Sequence, residues 1–372
     1  MNLKPKIRPL WQRVIIMFAL TGLMVWKYLR LPYGFFPRSI RSIIQHWTYE
    51  MFSVIIRTWV TKAPVDQTCV MARPSSFRPL VEVDPEFRLD EREIKSFYQN
   101  GFLGPFDAYS MDEIKQLREI AMIAKDTVSE TYGWNTPRDR HFEILEMFDM
   151  MKKPAVTERL AQLLGPDLLV WRSQFFYKMA GAERIQWHQA STFMVEDYLD
   201  PALFPADLSQ LFQITAWVAI DQATLENGCL EFACGTHDKI RNIRFGGEEG
   251  FYESRFTLEF DEDDVRVQQV PAKPGQVILF TERCIHGSPP NKTKTDRLAF
   301  NFRVVPTNVA VYTDKKYYRS VYNGGKYHLD NWGVTTIRGE DKLKLSRIWT
   351  PPENFQTVKP EEERTLELTK SA

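Results

Sequence analysis

The sequence predicts an all-β core with flanking helices, a jelly roll, behind an N-terminal helical arm that associates with a membrane. Three observations predict it. From Leu168 onward, short β-branched and aromatic runs alternate with polar loops. Between about Asp90 and Leu164, apolar residues recur at helical spacing. Ahead of both, residues 1–63 combine apolar runs with ten Lys and Arg against a single acid, Glu50.

The arm contains two segments. Val14–Trp26 is apolar and flanked by basic residues; its thirteen residues fall short of the ~20 that a spanning helix needs. Counting from Trp11 to Leu29 gives nineteen, with Gln12, Arg13 and Lys27 near the ends, where long side chains snorkel. In the second segment Ile40, Ile43, Ile44, Trp47, Met51, Ile55 and Trp59 share helical spacing, while Arg41, Gln45, His46 and Arg57 take other faces. A hydrophobic hairpin or an interfacial anchor fits both. A removable targeting sequence and helices packed on the main body remain open alternatives.

The arm carries a charge of about +9, and the zero net charge of the whole chain leaves about −9 on the rest. A basic arm with this much apolar surface points to a membrane partner rather than nucleic acid. The four cysteines, Cys69, Cys229, Cys234 and Cys284, lack zinc spacing and are too few for a disulfide framework. Reduced thiols are expected, with the catalytic domain in a reducing compartment on the cytoplasmic face.

Four regions follow from these textures. Residues 1–63 form the arm. Residues 64–86 read as a linker, with Pro64, Pro74, Pro79 and Pro85. Residues 87–306 form a catalytic jelly-roll domain with N-terminal helices, and residues 307–372 form a C-terminal extension. Within the third region helices are predicted at Asp90–Asn100, Met111–Thr131 and about Arg140–Met151. Strands are predicted at Gln174–Met179, Gln213–Ile220, Gln276–Phe280 and Leu298–Val305.

The chemistry centres on Trp187-His188-Gln189-Ala190 and on His286. Two histidines beside strand-like stretches are the expected ligands of a metal, held together by a rigid barrel. A two-histidine, one-carboxylate iron site needs Asp or Glu two residues after the first histidine. Ala190 stands there, and alanine has no donor atom. His46, His141, His237 and His328 are competing histidines, and a lone histidine is more often structural. Arg297 lies eleven residues after His286. Its planar, permanently charged fork suits the distal carboxylate of 2-oxoglutarate. Ser288 adds a hydroxyl donor.

Taken together, these residues resemble the phytanoyl-CoA dioxygenase family of iron- and 2-oxoglutarate-dependent oxygenases. The resemblance runs from Phe97-Tyr98-Gln99-Asn100-Gly101-Phe102 to Pro306. It includes Trp187–Gln189, Ile214–Asp221, Glu226–His237 and the stretch from His286 to Arg297. It implies a double-stranded β-helix, cupin-like, with His188 and His286 on Fe(II). It also implies Arg297, Ser288 and Trp217 on 2-oxoglutarate, with O2 as co-reactant.

The departure at Ala190 resembles the family's aliphatic halogenases, of the syringomycin threonine halogenase type. That likeness implies chloride at iron beside Ala190, with Phe193 walling the halide pocket and Thr215 and Arg297 in its surroundings. It implies chlorination of an unactivated aliphatic C–H by hydrogen abstraction at a halo-oxo-iron(IV) species and chlorine rebound. Two other readings stay open. One is a hydroxylase whose third ligand is water, Glu196, Asp197 or Asp221; the other is a membrane-bound binding protein without metal. The expected substrate is an aliphatic small molecule, a lipid, or an acyl group tethered to a carrier.

Overall fold

The computed structural model describes residues 9–37, 40–41, 44, 71–189, 202–207, 209–239, 243–245, 256–258, 262–312, 316–319 and 326–351. Ala190, Phe193, Glu196, Asp197, Cys69 and nearly all of the second apolar segment lie outside them.

Helix α1 (Leu10–Tyr28) covers the first apolar segment, and none of its side chains is buried. By length and composition it is able to cross a membrane. At its C-terminal end Trp26 packs edge-on against Phe35 and Phe36, with ring centroids 5.8 and 5.3 Å away. The proline-rich segment is tied down where it is described. Met71 and Ala72 donate backbone bonds to Asp238 and Ser209, and Leu80 donates to Gln162.

Helix α2 (Glu91–Asn100) begins at a capping box in which Asp90 and Glu93 satisfy each other's backbone amides. It stops at Gly101, whose φ of +88° needs glycine. Helix α3 (Met111–Asp126) has the same box from Ser110 and Glu113. It ends five residues before the predicted Thr131. Thr127 turns extended and its hydroxyl takes the Ile123 carbonyl, 2.7 Å away, that the next helical amide would have used. The predicted helix at 140–151 is split into a 3-10 turn at Arg140–Phe142 and α4 (Leu145–Met151), because Ile144 is extended. Helix α5 (Pro154–Leu164) starts with proline at its first position, where no amide is missed.

Ten strands build two antiparallel sheets: β1 (Phe102–Asp107), β2 (Leu168–Lys178), β3 (Ile185–His188), β4 (Ile214–Ala219), β5 (Leu230–Ala233), β6 (Val267–Val270), β7 (Gln276–Thr281), β8 (His286–Ser288), β9 (Arg297–Pro306) and β10 (Thr335–Arg338). The large sheet runs β1-β7-β4-β9-β2-β10 and the small one β3-β8-β5-β6. Strand β10 adds a piece of the chain beyond Pro306 to the edge of the large sheet. That region is further held by a core of Tyr312, Tyr327, Trp332 and Val334 around Trp171 and Phe212.

The period of two along each strand separates core from site. Phe175 of β2, Ile214 and Val218 of β4, and Phe300, Phe302 and Val304 of β9 pack against Ile94, Leu117, Met147 and Leu160 of the helices. Each such side chain contributes about 1.5–3 kcal/mol by leaving water. The alternate residues therefore take the opposite face: Lys178 on β2, Thr215 and Trp217 on β4, and Arg297, Ala299, Asn301 and Arg303 on β9.

Candidate active site

Strand β8 pairs with β3 so that His286 and His188 occupy one register position. Their ring centroids are 4.2 Å apart. Each Nδ1–H donates to the carbonyl two residues earlier, His188 to Gln186 and His286 to Cys284, both at 2.8 Å. Those acceptors fix the tautomer, so each ring presents its Nε2 lone pair, the form that binds metal. Burial, with the other ring beside it, holds His188 far below the ordinary histidine range. Burial, with the Arg303 charge adding to it, brings His286 down to about 4. Both are neutral at pH 7 and ready as ligands. Just upstream of His286, the turn at Thr281–Cys284 carries the buried Glu282 and Arg283, which pair at 3.2 Å.

Next to this pair lies a cationic pocket. Arg297 is only 2% exposed, and its Nη1 donates to the Gly228 carbonyl. Ser288 Oγ donates to the same carbonyl at 2.6 Å. The Arg297 guanidinium lies 5.5 Å over the ring of Trp217. Its Nε is buried without a hydrogen-bond partner among the described residues. Burial lowers Arg297 to about 10, so it stays cationic at neutral pH. A buried guanidinium with an unmet donor fits a carboxylate. Gly228 makes the approach possible: its φ is +78°, and a Cβ there would meet the Pro289 carbonyl at 2.2 Å.

Thr215 faces the same side from β4. Its register partners are Phe280 on β7 and Arg303 on β9. Phe280 stands 4.6 Å, ring to ring, from His286. The Thr215 hydroxyl is buried with no hydrogen-bond partner among the described residues. Arg303 acts electrostatically on both His188 and His286. The charge beside Thr215 is thus Arg303, six residues along β9 from Arg297, and sequence reasoning missed it.

The strand end that leads to Ala190 is held by Gln189, whose Nε2 donates to the Arg283 carbonyl at 2.5 Å and the Lys239 carbonyl at 2.9 Å. Ala190 and Phe193 themselves are outside the described residues. So are Glu196 and Asp197. Asp221 is engaged elsewhere, binding Arg118 and, at 2.8 Å, the Leu298 amide. Among the described residues no third His, Cys, Asp or Glu joins the two imidazoles. His46 lies outside the described residues, and the other competing histidines that follow have other partners. His141 bonds Ser173 at 2.7 Å and His237 bonds the Tyr98 carbonyl at 2.9 Å. Cys229, Cys234 and Cys284 are free thiols.

A family model described as phytanoyl-CoA dioxygenase (PhyH) matches residues 97–299, more than half of the chain. The dioxygenase lolE1 of Epichloe uncinata is 25% identical over 230 residues, covering 58% of this chain and 82% of that protein. The methylphosphonate hydroxylase of Gimesia maris is 23% identical over 280 residues, 70% of this chain and 94% of the other. Among solved structures, CytC3 with Fe(II) and alpha-ketoglutarate superimposes with a TM-score of 0.58 at 26% identity. The superposition covers 74% of this chain and 98% of that one.

Proposed function

We propose that the chain, which belongs to the phytanoyl-CoA dioxygenase family, chlorinates an unactivated aliphatic C–H bond. The coarser activity is shared with its relatives: it is an iron- and 2-oxoglutarate-dependent oxidoreductase. Ala190 carries the finer reading. It stands where a carboxylate would complete the iron site, two residues beyond His188. Losing that carboxylate removes one negative ligand and leaves a gap of carboxylate size beside the alanine methyl. A chloride restores both the charge and the ligand.

Iron(II) with 2-oxoglutarate and O2 supplies the oxidising power, and chloride supplies the halogen. The overall change balances. A C–H bond, chloride, a proton, O2 and 2-oxoglutarate give a C–Cl bond, water, CO2 and succinate. The chain's residues do the rest. His188 and His286 hold the metal through Nε2. Arg297, Ser288 and Trp217 hold the distal carboxylate of the cosubstrate, consistent with the unmet Arg297 donor. Thr215 offers its hydroxyl to the halide, Phe193 walls that pocket, and Arg303 adds positive charge nearby.

The arm is read as the means by which the enzyme meets its substrate. With its apolar α1 unburied and ten basic residues against one acid, it is proposed to hold the enzyme on a membrane. The catalytic domain then stands on the cytoplasmic side and acts on a lipid, an acyl chain or a carrier-tethered acyl group. Removing residues 1–63 is expected to release the protein from sedimented membranes. Chlorination is tested by incubating the iron-loaded enzyme with lipid extract, 2-oxoglutarate, O2 and chloride. Products with the paired chlorine isotope masses, absent with Ala190→Asp, are expected. Products carrying only added oxygen would contradict the reading.

A further inference from the structure

Strand β3 carries His188, yet its own backbone bonds hold it only lightly. It is the outermost strand of the small sheet and four residues long. Its pairing with β8 consists of His188 with His286 and Ile185 with Ser288, with an irregularity between them. An edge strand with so short a ladder has few bonds to set its register. A slip of one residue would turn His188 to the opposite face.

A second hold lies on the face of the sheet away from the two imidazoles, where Trp187, Gly287 and Glu231 alternate with His188, His286 and Phe232. Arg184, immediately before β3, reaches across β8 to Glu231 on β5, with Nη2 2.6 Å from the carboxylate. Glu231 is buried, and its register partner on β6 is Gln269. The bridge passes over Gly287, which pairs with Glu231. A Cβ at Gly287 would meet the Ile185 carbonyl at 2.9 Å, Glu231 Oε1 at 3.2 Å and the Trp187 ring at 3.4 Å. A side chain there would therefore lift the bridge off β8. The Arg184 guanidinium also lies 4.9 Å over the Trp187 ring. The indole N–H of Trp187 donates to Glu262, whose carboxylate stands 3.9 Å from Arg184. A carboxylate as buried as that of Glu231 needs its cation, which keeps the pair closed.

We propose that Arg184 and Glu231 are positioning residues, their ion pair acting as a strap across β8 that keeps His188 opposite His286. Arg184 lies four residues before His188, and the strap acts on that ligand only through β3 and Trp187. The inference rests on the family's use of iron, not on chlorination.

The test is Arg184→Met in the full chain, which keeps the stem over Trp187 and removes the charge. Arg184→Lys is its conservative counterpart. Fe(II) affinity, measured by anaerobic equilibrium dialysis, is expected to fall about tenfold in Arg184→Met and to recover in Arg184→Lys. In a His188→Gln background Arg184→Met should have no further effect, because the ligand it positions is gone. In the metal-free chain, amide hydrogen exchange should quicken at Ile185–His188 and stay unchanged in β4 and β9. An equal loss of affinity in the His188→Gln background, or faster exchange across the large sheet, would make the pair a general prop and overturn the strap. Unchanged affinity and exchange in Arg184→Met would overturn it as well. Failure of the natural protein to bind Fe(II) would overturn the iron reading by itself; quickened exchange confined to Ile185–His188 would still support the strap.

Discussion

His188 and His286 share one register position across the β3–β8 pair, and each is fixed by a carbonyl two residues before it. This symmetry gives two Nε2 donors on one side, oriented through backbone carbonyls. A site held by backbone carbonyls survives side-chain changes around it but not the loss of either ring.

Replacing either histidine by glutamine is therefore expected to leave a folded chain that has lost tight iron binding. Fe(II) affinity should drop at least ~100-fold, since only two protein ligands are proposed. Equilibrium dialysis with metal analysis measures it. Stoichiometric iron retained by His286→Gln would place the metal elsewhere.

Arg297→Leu is expected to weaken 2-oxoglutarate binding by about 3 kcal/mol, roughly a hundredfold, because charge-assisted bonds to a buried carboxylate are lost. Iron binding should be unaffected. Calorimetry of each ligand separates the two effects, and a loss of iron without a loss of cosubstrate affinity would refute the assignment.

Gly228→Ala asks whether the pocket depends on a close backbone approach. The added methyl would meet the Pro289 carbonyl at 2.2 Å and sit at a φ of +78°. A destabilisation of about 1–3 kcal/mol is expected, together with weaker 2-oxoglutarate binding. Thermal melting and calorimetry check both; a variant unchanged in both would show that the loop yields freely.

His141 sets a pH dependence of stability unrelated to the site. It is fully buried beside Ser173, and burial lowers it to about 4, with Asp139 opposing. The unfolded chain takes up that proton near pH 6.5, while the folded chain resists it until about 4. The stabilising effect is thus complete above pH 6.5 and is lost as pH falls from 6.5 towards 4. His141→Asn is expected to be less stable than the natural protein at pH 7. Between pH 7 and pH 5 that gap should narrow by about 2 kcal/mol. Denaturant melts at the two pH values give the gap; a gap of constant size would contradict the assignment.

Much of the site was legible in the sequence because its signals are local. The Trp-His-Gln run, the His-Gly-Ser run and the arginine eleven residues on are all read along the chain. Arg184, Arg303 and Gly228 were not, for a common reason. Each gains its meaning from a partner on another strand: Arg184 from Glu231, Arg303 from Thr215, Gly228 from Ser288 and Pro289. Register is a long-range property. The Asn227-Gly228 pair was the one available signal, as a turn dipeptide. In the fold, the alternation beyond Leu298 was visible, but the start of β2 was not. Leu168–Trp171 is buried on both faces, so its continuous apolar run has no period of two. The helix ends were misplaced where one residue decides, as at Thr127 and Ile144.

The most direct test of chlorination is the binding of chloride at iron. Anaerobic protein is loaded with Fe(II) and 2-oxoglutarate, and its visible charge-transfer band is followed as chloride is added. A saturable shift that disappears in Ala190→Asp is the predicted result. A 2-oxoglutarate-dependent band indifferent to chloride would contradict the halide site and leave an oxygenase with an unusual third ligand.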